Sequence, residues 1–88
     1  MHEARVVRQI VERIDDVARS EHADHVDRVR IEIGALSHIT PESLSGQFEL
    51  LAAHSPAEGA ALDISRSENE HDPNAHDIRL VSITVADH

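Results

Sequence analysis

The apolar residues of this 88-residue chain change their period along its length, and that change restricts the fold more than any single residue does. From the start they recur as Val6, Val7, Ile10, Val11, Ile14, Val17 and Ala18, the i, i+3, i+4, i+7 stripe of an amphipathic helix. Asp15 and Arg19 stand four apart on its polar face with the acid first, the favourable order for a helix pair. Residues 20–24 are polar and read as a connector. Between Val26 and Ile33 the period drops to two. Val29, Ile31 and Ile33 share one face and Arg28, Arg30 and Glu32 the other, which predicts a half-buried strand ended by Gly34.

Thr40 then precedes Pro41 and Glu42, an N-cap residue followed by proline at the first helical position and an acid in the first turn. These signals predict a second helix running to about Ala53, with Leu44, Phe48 and Leu51 facing inward. Residues 55–59 break it. A short strand over Ala61–Arg66 places Leu62 and Ile64 on one face, and a last strand over Ile78–Val85 places Val81, Ile83 and Val85 on one face. The order helix, strand, helix, strand, strand predicts an α+β fold. Two helices would cover one face of a three-stranded, largely antiparallel sheet, in a single domain over residues 1–88. Residues 67–77 have no apolar periodicity and contain Pro73 and Asn74, so they read as an exposed hydrophilic hairpin loop joining the last two strands.

Composition narrows the functions available. The core is modest, with Phe48 as its one aromatic residue. The absence of cysteine removes disulfides, zinc–thiolate sites and thiol nucleophiles. Eight basic residues, all of them Arg, against seventeen acidic ones leave a net charge of -9. Phosphate backbones and anionic membranes need a basic face, so nucleic acid and membrane are not expected partners. The first residues carry Glu3, Arg5 and Arg8 and lack the apolar stretch of a signal peptide, and no apolar run suits a membrane span. A soluble, cytoplasmic protein is the expectation. There is no nucleophile elbow and no glycine-rich phosphate loop, and the acids fall mostly on solvent faces, so no catalytic residue is assigned and no enzyme is expected.

Met1-His2-Glu3 is different, because it places an imidazole one residue from a free amine. The α-amino nitrogen, the deprotonated backbone amide of His2 and the His2 ring nitrogen close two fused chelate rings around one ion. Three nitrogens in a plane suit Ni(II) or Cu(II), with Cu(II) the tighter binder by intrinsic affinity. The fourth position is open to Glu3 or to a ligand from a partner. Metal competes with protons for these nitrogens, so affinity rises with pH.

The runs MHEARVVRQIVERIDDVA, RVRIEIGALSHITPESLSGQFELLA, AEGAALDI and IRLVSITV occur in that order over nearly the whole chain. Together they resemble the HypA/HybF family of nickel metallochaperones for hydrogenase maturation. The most specific parts are Met1-His2-Glu3 and Arg30-Ile31-Glu32-Ile33-Gly34-Ala35-Leu36-Ser37. The resemblance implies that His2 is the nickel ligand, with Met1 and Glu3 contributing backbone or side-chain atoms. It further implies delivery of Ni(II) to a hydrogenase large-subunit precursor, or to urease in some members, together with a maturation GTPase. Members of that family carry two Cys-x-x-Cys pairs between the last two strands; this chain has residues 67–77 in that place and no cysteine, so no structural zinc is expected.

The other histidines are read more plainly. His71 and His76, with Glu68, Glu70, Asp72 and Asp77 nearby in sequence, form at most a weak secondary metal site, since their spacing matches no recognised ligand pattern. His22 and His25 fall in the first connector and His38 in the loop before the second helix, as solvated residues, and His88 at the end carries no signal. His54 is placed at the C-terminus of the second helix, where a protonated ring suits the dipole. Two rival functions remain in the sequence: a metal-independent interaction module that docks on a maturation GTPase or hydrogenase subunit, and a small enzyme using the loop histidines.

Overall fold

Helix α1 (His2–Ser20) buries Val7, Ile10, Val11, Ile14 and Ala18, the stripe its period marks out. The structure, a computed structural model, describes residues 2–85; Met1, the side chain of His2 and residues 86–88 lie outside what it describes. At the C-terminal end of α1 the chain reverses through His22, which adopts a left-handed φ of 55°. The His22 N–H donates to the Arg19 carbonyl (3.1 Å) and the Ala23 N–H to the Ala18 carbonyl (2.8 Å). That pair of bonds is a Schellman motif, with His22 where glycine usually stands. His22 therefore has a backbone role that its solvated position in sequence does not announce.

Strand β1 (Val26–Ile33) points Val29, Ile31 and Ile33 into the core as expected, and a register shift near its start also buries Val26. Helix α2 (Pro41–Ala52) begins at Thr40, whose Oγ1 accepts a hydrogen bond from the Ser43 N–H at 3.1 Å. Leu44, Phe48 and Ala52 are its buried residues, and Leu51 packs half-buried beside them. His54 follows with a φ of 66°, just past the helix, and the Ser55 hydroxyl closes the turn onto the Ala52 carbonyl (2.7 Å). Thr40→Ala leaves a first-turn N–H without its acceptor and is expected to cost about 1 kcal/mol, read as a lower urea midpoint at unchanged slope.

Strands β2 (Ala61–Arg66) and β3 (Ile78–Val85) complete one three-stranded sheet in the order β2-β1-β3. The α+β class and the element order are those predicted. The sheet itself is mixed: β1 pairs antiparallel with β3, but parallel with β2, from Arg28↔Ala61 to Ile33↔Arg66. The reason is the α2 crossover, which returns the chain to the same end of the sheet before β2 starts. Because β2 and β3 lie on opposite edges of β1, residues 67–77 form no hairpin. They pass across the C-terminal end of the central strand instead.

Strand β3 corrects a second expectation. Ile78, Leu80, Ile83 and Val85 are the half-buried residues, and Val81 is 48% exposed. Ile31 pairs with Leu80 and Arg30 with Ser82, so Val81 is the extra residue of a β-bulge, and the bulge shifts the inward-facing set by one. Two alternating pairs three residues apart, Ile78/Leu80 and Ile83/Val85, are the trace of this in the sequence.

Both helices pack on the face of the sheet that carries Val29, Ile31 and Ile33, α1 towards β3 and α2 towards β2, with each other as neighbours. The opposite face is open and charged. Asp63 lies 3.7 Å from Arg28 and 3.6 Å from Arg30, and Arg79 donates to Glu32 at 3.0 Å. Such exposed pairs contribute little to stability, but they keep a bare sheet face soluble.

Candidate metal centre

The topology gathers several chemically capable segments at one pole. Strands β1 and β2 end there, β3 and α2 begin there, and α1, running opposite to β1, has its N-terminus there. The start of α1 with Glu3, His38 and the loop with His71 and His76 thus share this end of the molecule. His22, His25 and His54 lie at the other, at or just beyond the helix C-termini. His25 sits 3.9 Å from Asp27, with both side chains more than half exposed.

Residues 34–39 and 67–77 build the floor of the pole. The Ser67 N–H donates to the Ile33 carbonyl, the Gly34 N–H to Asp77 and the Leu36 N–H to Ala75, each at 2.8 Å. Arg66 reaches in from β2 and donates to the carbonyls of Gly34 (3.1 Å), Ser37 (3.1 Å) and Ile39 (2.7 Å). One guanidinium therefore fixes the path from β1 to the start of α2, a role its place at the end of an alternating strand gives no sign of. The loop supplies its own turns as well: Asn69 Oδ1 accepts from the His71 N–H (3.1 Å) and Asp72 Oδ1 from the Asn74 N–H (2.8 Å). Ala75 is buried against Gly34, so the loop is anchored at its far end rather than exposed throughout.

The three residues of the N-terminal tripeptide stand differently in the structure. Met1 lies outside the described residues, and so does the side chain of His2. Helix α1 starts at His2. First-turn N–H groups of an α-helix have no intrahelical acceptor, so taking the His2 amide as a deprotonated ligand costs α1 no ladder hydrogen bond. Glu3 is half-buried, and its Oε2 accepts a hydrogen bond from the Ser43 hydroxyl in the first turn of α2. The first turns of the two helices are thereby joined through one carboxylate. A donor set of two nitrogens in the backbone, an imidazole and a half-buried carboxylate fits a nickel or copper ion.

Elsewhere the described residues offer less. No three of their His, Asp or Glu side chains come together as metal ligands, so His71 and His76 acquire no third ligand from Glu68, Glu70, Asp72 or Asp77. None of their polar or charged side chains is buried. A shallow hollow lined by Val6, Gln9, Ile39, His76, Asp77 and Ile78 runs beside the second turn of α1. A wider groove between α2 and β2, floored by Phe48 and Leu62, opens at the far pole, away from the tripeptide. Ser43 and Arg66 are the residues of this pole that sequence reading passes over. Each acts through a partner more than twenty-five residues away.

Two helices on one face of a three-stranded mixed sheet, with the helix starts joined at Glu3, define a small α+β domain. The chain belongs to the HypA family: residues 1–79 match the family described as hydrogenase/urease nickel incorporation, metallochaperone, hypA. It is 47% identical over 64 residues to the hydrogenase maturation factor HypA of Bradyrhizobium sp. (strain ORS 278), covering 73% of this chain and 57% of that protein. It is 45% identical over 64 residues to the HypA of Chlorobium limicola (strain DSM 245 / NBRC 103803 / 6330), covering 73% and 55%. The chain thus spans little more than half the length of these curated relatives. In fold it is similar to the solution structure of the Ni metallochaperone HypA from Helicobacter pylori. The TM-score is 0.78 at 20% identity, and the likeness covers 94% of this chain and 96% of that one.

Proposed function

We propose that this chain is a nickel-binding accessory protein of hydrogenase maturation, a carrier rather than an enzyme, which takes Ni(II) at Met1, His2 and Glu3. The observation that supports this most directly is the family match, because it includes residue 1 and runs through the tripeptide and the whole of β1, α2 and β2. Nickel is cargo in this reading. The α-amine, the His2 amide and the His2 ring hold it in a plane, and Glu3 supplies the fourth ligand until a partner displaces it. The partners are the maturation GTPase and the hydrogenase large-subunit precursor, met in the cytoplasm. No described helix is long and apolar enough to cross a membrane.

The test is titration of protein that starts at Met1 with Ni(II), followed by calorimetry and intact mass. About one equivalent binds tightly if the tripeptide is the site. His2→Ala removes the imidazole and with it one of the two chelate rings, and a glycine added before Met1 moves the amine out of reach, so each abolishes tight binding. A glycine-extended protein that titrates like the native one rules the reading out.

A further inference from the structure

Glu3 is the one member of the tripeptide whose side chain the structure describes, and what holds it comes from forty residues away. Its Oε2 accepts from Ser43 Oγ, while the Ser43 N–H is already satisfied by the Thr40 hydroxyl at 3.1 Å. The cap of α2 therefore does not need the Ser43 side chain. Glu3 Oε1 has no hydrogen-bond partner among the described residues. One oxygen of the carboxylate is fixed and the other is left over.

We propose that Ser43 is a positioning residue for the metal, its hydroxyl holding Glu3 so that the second carboxylate oxygen serves the ion's fourth position. This rests on the nickel reading above. The physical case has two parts. A carboxylate ligand that is itself hydrogen-bonded has given up its rotational freedom before the ion arrives, and loss of such a supporting partner commonly weakens metal binding by about 10–100-fold. The second part is electrostatic. The N-terminal ends of α1 and α2 both lie at this carboxylate, and each carries partial positive charge that opposes a cation. Glu3, kept in place by Ser43, offsets that field where the ion sits. Without the hydroxyl the carboxylate turns to water and the ion faces two positive helix ends.

The experiment titrates untagged protein starting at Met1 with Ni(II) alone, competing against a chromophoric chelator, for the native chain, Ser43→Ala, Ser43→Thr, Glu3→Gln, Glu3→Gln with Ser43→Ala, and His2→Ala. Circular dichroism of each variant checks that the fold is kept. Ser43→Ala is expected to bind about tenfold more weakly, Ser43→Thr to recover most of the loss, and Ser43→Ala to cost nothing further once Glu3 is Gln. A purely structural serine would cost the same in both backgrounds, so an additive result overturns the proposal. So does native affinity in Ser43→Ala. If His2→Ala binds nickel like the native chain, the nickel reading itself falls, and that outcome is separate from a silent Ser43 with an essential His2.

Discussion

Gly34→Ala is expected to destabilise the fold by about 2–3 kcal/mol and to free the loop of residues 67–77. A Cβ at Gly34 would lie 2.2 Å from the Ala75 carbonyl oxygen, 2.5 Å from its carbon and 2.8 Å from the Asp77 oxygen. All three are backbone atoms, so no side chain can swing aside. Relief requires the loop to lift, which breaks the Gly34 N–H to Asp77 and Leu36 N–H to Ala75 bonds and uncovers Ala75. The backbone of Gly34 is not in the left-handed region that Gly59 occupies, so the glycine is required here by close approach rather than by φ. Urea unfolding should show the lost stability, and limited proteolysis should cut within residues 67–77 in the variant before the native chain. Gly46→Ala is the control. Its Cβ meets nothing within 4 Å inside α2, and the change should raise stability by about 0.5–1 kcal/mol.

Phe48→Ala should have the larger effect, about 3–5 kcal/mol. Phe48 is 3% exposed and is the only aromatic residue in the chain, so its ring is the largest single apolar group of a core otherwise built from Val, Ile, Leu and Ala. Domains of this size are stable by about 5–15 kcal/mol, which brings the variant close to unfolding at ordinary temperature. Leu50, two residues further along α2, is 77% exposed. Leu50→Ala should therefore stay within about 0.5 kcal/mol of the native chain, and thermal melts of the pair separate burial from helix propensity.

Where the causes of structure are local, they are legible in the sequence. The stripe from Val7 to Ala18, the alternation of Val29, Ile31 and Ile33, and the Thr40-Pro41 start of α2 all depend on residues within one or two turns of each other. Strict alternation puts Ile83 and Val85 on the inward face of β3, where they are, but it adds Val81 to them and leaves out Ile78 and Leu80, because the bulge at Val81 breaks the alternation between the two halves of the strand. The hairpin reading of residues 67–77 failed for another reason. Adjacent strands in sequence usually pair, but here the α2 crossover had already put β2 on one edge, leaving the other edge of β1 for β3.

The candidate site divides in the same way. Chelation by an α-amine, the next amide and the next side chain is a property of covalently adjacent atoms, so Met1-His2-Glu3 is legible as a string of residues. Ser43 is not, because nothing within four residues of it marks it as a partner for Glu3. Sequence alone determined the five elements and the faces that most of them bury, and it marked out the tripeptide proposed to hold nickel. Only the tertiary structure decided the strand order, the anchoring of the loop against Gly34, and the serine that reaches the tripeptide. Those depend on which distant surfaces pack together, and packing is set by the whole core, whereas periods, caps and chelate rings are set by bonds between near neighbours.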